Sequence, residues 1–279
     1  MPSPHPVQRT SAVVLAFLSA PFAVHAQTES RGPLWEFGAF GVGVAQQAYP
    51  GSTARVDRLL ALPFLLYRGK VLRVDRGSAG LRALKTPAFE LDVGVASAFG
   101  SNSDEIDARR GMPDLGMLVE IGPRLKWNLD GGSETGQWLA EFPLRGVFDL
   151  SDSLAHKGMA FEPALLFQRR ARGGWQYQAS FGALIGDRRL ADTFYGVAPV
   201  YATAQRPAYA ARSGLIAWRL GASVSYPLTA DLRLFSFARL DTVAGAANNT
   251  SPLVDRRTGA SVGLGFTYTF ARSERAAVD

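Results

Sequence analysis

A hydroxyl, a carboxylate and an imidazole lie within six positions in Ser151-Asp152-Ser153 and His156, the residue types of a hydrolytic triad. A triad also needs a base that the carboxylate orients and that reaches the hydroxyl. A turn with the spacing Ser-Asp-Ser-x-x-His offers no rigid support for that, so the residues read as a solvated turn. The 279 residues include no cysteine, which removes disulfides, zinc fingers, iron–sulfur clusters and thiol nucleophiles. His156 is the one histidine beyond the leader described below, and a lone imidazole is a poor transition-metal site. Gly41-Val42-Gly43 and Gly263-Leu264-Gly265 lack the third glycine and the following helix of a dinucleotide loop. No catalytic residue, metal ligand or cofactor is assigned.

The charged residues with a discernible arrangement are Glu120, Arg124, Lys126, Glu141, Arg145 and Glu162, and their arrangement has a period of two. From Leu115 to Leu129 each odd position is apolar or proline, while the even set carries Glu120, Arg124 and Lys126. Side chains alternate across a pleated strand, so this segment has one greasy face and one polar face. The alternation recurs at Phe89–Val95, Met159–Phe167, Trp175–Ile185 and Val262–Phe270, with turn signals such as Asp130-Gly131-Gly132 and Arg172-Gly173-Gly174 between. Twelve strands are expected, beginning near Trp35, Asp57, Val71, Pro87, Leu115, Thr135, Lys157, Trp175, Thr193, Gly214, Asp231 and Thr258. The count falls to ten if the Thr193–Ala204 strand is dropped and the third is merged with its neighbour. No amphipathic helix is expected between them.

Alternation alone leaves open whether the apolar faces point into a dry core or outward into lipid. Strand length favours lipid, because a tilted spanning strand needs about nine to eleven residues. So does the placement of Trp35, Trp127, Trp138, Trp175 and Trp218 near strand ends, where amphipathic rings suit the headgroup level. The expected fold is therefore all-β, a closed antiparallel transmembrane β-barrel. The apolar run from Ala12 to Val24, ending in Val24-His25-Ala26, reads as a signal peptide over residues 1–26. Residues 27–279 would form one barrel domain, with its last strand over about 258–270 and a short tail over 271–279. On this reading the six charged residues form a polar network in the lumen, where opposite charges on neighbouring strands pair.

The formal charge of +6 comes mainly from arginine, since only Lys70, Lys85, Lys126 and Lys157 are lysine among 30 basic residues. The pairs Arg109-Arg110, Arg169-Arg170, Arg188-Arg189 and Arg256-Arg257 are scattered near strand ends rather than forming the continuous stripe that nucleic acid favours. Guanidinium forks at a membrane rim suit the phosphates of phospholipid or lipopolysaccharide, and scattered solvated charge is the simpler alternative.

The run Ala108-Arg109-Arg110-Gly111-Met112-Pro113-Asp114-Leu115, followed by Glu120-Ile121-Gly122-Pro123, resembles the family of MltA-interacting protein and OmpV. Pro63 to Gly69, Ser251-Pro252-Leu253 and the closing Gly263–Phe270 agree with it, although Ala246 to Thr250 depart from the family's usual approach to Ser-Pro. The resemblance implies an outer-membrane barrel that binds peptidoglycan-remodelling enzymes, a lytic transglycosylase and a murein synthase, as a non-catalytic scaffold. The alternative is a porin-like channel for small polar solutes, or a surface adhesin. The linker closed by Arg109, Arg110, Gly111, Met112, Pro113 and Asp114 either docks a partner around an exposed methionine or caps the barrel structurally. With Phe270 at the periplasmic rim, twelve alternating strands place this linker in the periplasm, while the usual brevity of periplasmic turns points the other way.

Overall fold

Alternating side chains commit each segment to one pleat, and the pairing of those pleats closes on itself. The computed structural model describes residues 33–275 apart from 69–71, 76–77, 87, 99–100, 102 and 133–135. The expected leader over residues 1–26 and residues 276–279 of the expected tail lie outside the described residues. The strands are β1 (Trp35–Gln47), β2 (Arg55–Arg68), β3 (Leu72–Asp75), β4 (Ser78–Lys85), β5 (Phe89–Ala98), β6 (Leu118–Asn128) and β7 (Gln137–Asp149). They continue as β8 (Ala155–Phe161), β9 (Ala164–Arg170), β10 (Gln176–Gly186), β11 (Gly214–Pro227), β12 (Leu232–Thr242) and β13 (Thr258–Arg272). One α-helix, α1 (Arg188–Tyr195), lies between β10 and β11.

Apart from β8 and β9, which do not pair with each other, each strand pairs antiparallel with its sequence neighbours, and β13 pairs with β1, from Ala45 opposite Val262 to Glu36 opposite Arg272. β8 and β9 are two halves of one position in the circuit. Both pair with β7 on one side and β10 on the other, with Glu162 and Pro163 between them. Pro163 has no N–H to give to a ladder, so the strand breaks there and re-aims. The thirteen strands thus occupy twelve positions, all antiparallel.

The first and last described segments, the chain ends of the barrel, meet at one rim, where Leu34 donates to the Arg275 carbonyl at 2.8 Å and Ser273 to that of Trp35 at 2.9 Å. That rim carries the short turns 129–136, 171–175 and 228–231. The opposite rim carries the longer segments 99–117, 187–213 and 243–257, together with 48–54 and 150–154.

Two expectations are corrected here. The Thr193–Ala204 strand is instead the end of α1 and a 3-10 turn over Pro199–Tyr201. Asp187 caps the helix, its side chain accepting from Leu190 N at 2.8 Å, and the buried Leu190, Ala191 and Tyr195 form a helical face that a period-two reading misses. In the other direction, β4 is a strand that the sequence reading did not separate from β3. The two errors cancel in the total but not in the order. The linker 99–117 follows the fifth position rather than the fourth, so it lies at the rim opposite the chain ends. The last strand also runs two residues past Phe270, to Arg272.

Large apolar side chains cover the outside: Leu59 is 88% exposed, Leu264 67% and Phe270 60%. Trp35, Trp127, Trp138 and Trp175 lie toward the rim with the chain ends, and Trp218 toward the other. Such rings pair along the wall, Phe89 with Trp127 at 5.6 Å and Phe181 with Trp218 at 5.7 Å. Among the described residues no helix is long and apolar enough to cross a membrane.

Candidate functional site

The inward faces of β5, β6, β7, β11 and β12 carry a ladder of buried ion pairs. Arg124 donates to both oxygens of Asp92, at 3.0 and 2.8 Å, the bidentate geometry that suits a guanidinium. Lys126 Nζ lies 2.9 Å from Asp92 and 3.3 Å from Glu90. Arg145 reaches Glu120 at 3.2 Å and Glu162 at 3.7 Å, and Arg219 donates to Glu162 at 2.7 Å. Arg219 and Arg239 flank Asp241 at 3.3 and 3.0 Å, and Gln47 on β1 donates to the same carboxylate at 3.0 Å. Of the six charged residues singled out in the sequence, Glu120, Arg145 and Glu162 meet one another. Arg124 and Lys126 join Asp92 and Glu90, and Glu141 stands apart. Glu90, Asp92, Arg219, Arg239 and Asp241 were missed as members, although each occupies a polar position of its strand's alternation.

Between these charges lies a cavity of about 160 Å3. The small inward residues Ser180, Gly182, Gly221 and Ser223 on β10 and β11 leave the space, while Arg124, Glu141, Arg145, Glu162, Arg219 and Arg239 border it.

The inner wall on the other side is apolar. Phe40 and Phe235 stack with centroids 5.5 Å apart and planes at 9°, and Val42, Val44, Leu60 and Phe237 pack with them. The glycines of β13 make room for these rings: a Cβ on Gly263 or Gly265 would stand 2.5 Å from Cζ of Phe237 or Phe235. The alternating glycine face of β13 is therefore a bed for aromatic rings rather than a polar surface.

The segments at the loop rim fold onto the strand ends as a lid with its own core. Tyr49, Ile106, Met112, Leu190, Tyr195 and Leu253 are buried together with the wall residues Leu118, Val147 and Ile216. Tyr49 donates to the Leu253 carbonyl at 2.8 Å and Tyr195 to that of Pro50 at 2.9 Å, with the two rings edge to face at 6.3 Å. Burial, with a smaller push from Asp255, raises the Tyr49 phenol to about 12, and burial raises that of Tyr195 as well.

Arg109 belongs to this lid. It is 4% exposed, donates to Ser103 Oγ and to the carbonyls of Pro113, Thr193 and Phe194, and sits 5.9 Å over the Tyr49 ring. Burial pushes its guanidinium below the ordinary arginine range. Met112 is buried too, which corrects the expectation of an exposed methionine. Arg110, Gly111, Pro113 and Asp114 remain exposed. Arg206 then binds the linker to the 196–213 segment through the carbonyls of Ala108 and Arg110, each at 3.0 Å.

His156 meets neither a serine nor Asp152. Its Nδ1 faces Arg189 at 3.2 Å and its ring lies 5.3 Å from Phe148. Asp152 pairs with Lys157 at 3.0 Å, and Ser151 Oγ accepts from Met117 N at 3.1 Å. Among the described residues no group of three or more His, Cys, Asp or Glu side chains is placed to hold a metal.

A closed antiparallel circuit, an apolar sleeve, aromatic rings toward its edges and charges turned inward define a bacterial outer-membrane β-barrel. Residues 38–270 match the family described as MltA-interacting protein MipA, and the chain belongs to that family. No curated protein sequence matches it. Among solved structures it is similar to the COG4313 outer membrane channel from Pseudomonas putida F1, at 12% identity over 88% of this chain and 100% of that one, with a TM-score of 0.46. It is also similar to the NanC porin, at 11% identity over 82% of this chain and 98% of that one, with a TM-score of 0.42.

Proposed function

We propose that this protein is a non-catalytic docking barrel of the outer membrane that binds murein-remodelling enzymes from the periplasm. The observation that carries this reading is the lid: one mouth is filled by an apolar core, and buried ion pairs brace the lumen behind it. A barrel built that way is rigid and suits display better than passage. The family's description as MltA-interacting supports a lytic transglycosylase as partner. Short turns are normally periplasmic and long loops extracellular, which favours the rim with the chain ends as the docking face. That rim exposes Arg169, Arg170 and Arg275. The linker's exposed Arg110, Gly111, Pro113 and Asp114 would then face outward, toward lipopolysaccharide or a surface contact.

The alternative, a channel for small polar solutes, draws on the cavity. Planar-bilayer recording separates the two: the docking reading expects no stepwise openings from the purified protein, and regular openings would replace it with the channel. Capture of a purified lytic transglycosylase should fall when Arg169, Arg170 and Arg275 are changed together to glutamate. Unchanged capture would remove that face from the interaction.

A further inference from the structure

Among the described side chains the buried ladder has one more carboxylate than cations. Among the described side chains it holds the carboxylates of Glu90, Asp92, Glu120, Glu141, Glu162 and Asp241 against Arg124, Lys126, Arg145, Arg219 and Arg239. The carboxylate left over is identifiable. Glu141 is 6% exposed, borders the cavity and makes no ion pair among the described residues, and its Oε1 is buried without a hydrogen-bond partner. Its cross-strand neighbour in register is Lys126, but that ammonium turns to Glu90 and Asp92. Arg124, the other cation on β6 near it, gives its hydrogen bonds to Asp92 and reaches Glu141 only through its field. A carboxylate so enclosed is costly unless something supplies donors to it.

Complementary groups border the same space. Among the described residues Arg239 hydrogen-bonds only through Nε, to Asp241, so its terminal guanidinium nitrogens keep their donors for another acceptor. Ser180 and Ser223 add hydroxyls, and Phe237 gives one apolar wall. A cavity of about 160 Å3 has room for about five waters or one small solute in their place.

We infer that the lumen cavity binds a small zwitterionic solute of the amino-acid class, its ammonium on Glu141 and its carboxylate on the terminal guanidinium donors of Arg239. The inference does not rest on the docking reading, because a lidded barrel can hold a solute without conducting it. The residues that make the site, Glu141, Ser180, Ser223, Phe237 and Arg239, come from four different positions of the wall, β7, β10, β11 and β12, so the site forms only when the barrel closes.

The test is ligand-observed NMR on the purified, detergent-folded protein, with L-alanine as the zwitterion and propionate as its analogue without the ammonium. Saturable transfer to alanine and none to propionate is the expected result. Glu141→Gln should weaken alanine binding by at least about tenfold while the unheated protein keeps its folded electrophoretic mobility. Ser223→Leu, which fills the cavity and leaves Glu141 in place, should abolish binding and serves if the first variant does not fold. No saturable alanine signal from the wild type, equal binding of propionate, or alanine binding unchanged in a folded Glu141→Gln protein would each overturn the assignment.

Discussion

Glu162 accepts from Arg219 at 2.7 Å with one oxygen and faces Arg145 at 3.7 Å with the other, so one carboxylate links β7 to β11 across the break between β8 and β9. Pro163 has no N–H for the ladder, yet Glu162 N donates to the Pro143 carbonyl and the Pro163 carbonyl accepts from Ala183 N, each at 3.0 Å, so the side chain adds its bridge to those main-chain bonds. Removing one partner from an enclosed charge cluster leaves the others uncompensated. Glu162→Ala is therefore expected to lower stability by about 2–3 kcal/mol, and Glu162→Gln by less because it keeps an acceptor. The urea midpoint of folded-form mobility measures both. A midpoint that does not move in Glu162→Ala would show that the ladder contributes nothing to the wall.

The aromatic inner wall depends on glycine. A side chain at Gly263 would occupy the space of the Phe237 ring, so Gly263→Val should destabilise the barrel by about 1–3 kcal/mol through overpacking. Adding Phe237→Ala should recover part of that loss, because the two changes act on one volume. Additive losses in the double variant would contradict the packing described.

The lid should respond to alkali. The Tyr49 phenol is held up to about 12 in the folded protein, against an ordinary value of 10.0, because it is buried, with a smaller push from Asp255. A raised folded value means that its contribution is complete below pH 10 and is lost as pH climbs through about 12. Tyrosinate absorbance should show a late-ionising class that loses one member in Tyr49→Phe, and that variant should be less sensitive to alkali over the same window. A titration identical to the wild type's would place Tyr49 in water.

Arg109 and Arg110 are adjacent in sequence and opposite in environment. Arg109→Ala withdraws donors from four oxygens of the lid and should cost about 2 kcal/mol, while exposing the linker to protease. Arg110→Ala removes an exposed pair with Asp107 and should be nearly silent. Limited proteolysis of the folded protein distinguishes the two, and equal effects would contradict the burial of Arg109.

How much of this was legible in the sequence follows from the physics of the period. Alternation in β6 and β13 displays both faces, because lipid and lumen demand opposite chemistry at successive positions. The inward charges of β6 and β7 were visible for the same reason. Asp241, Arg219 and Arg239 were not tied to them, since pairing across several strands depends on register, which no local pattern records. The burial of Met112 was not foreseen, and docking and capping stayed equal readings for Arg109, because a loop that packs on other loops has no period at all. The order of strands failed at β4 and α1, where short segments carry too few repeats for a period of two to be told from one of 3.6.

That failure of order bears on which partners the linker can meet, and it is testable because the chain contains no cysteine. Val200 in the long 187–213 segment is 80% exposed, and Ala230 in the 228–231 turn is exposed at the other rim. If long loops face the medium, Val200→Cys reacts with a membrane-impermeant maleimide on intact cells, whereas Ala230→Cys reacts only after the outer membrane is breached. The reverse pattern would put the linker from Arg109 to Asp114 in the periplasm, within reach of murein enzymes, and would move the docking face to the lid. The labelling of these two positions thus decides which end of the barrel a periplasmic partner can touch.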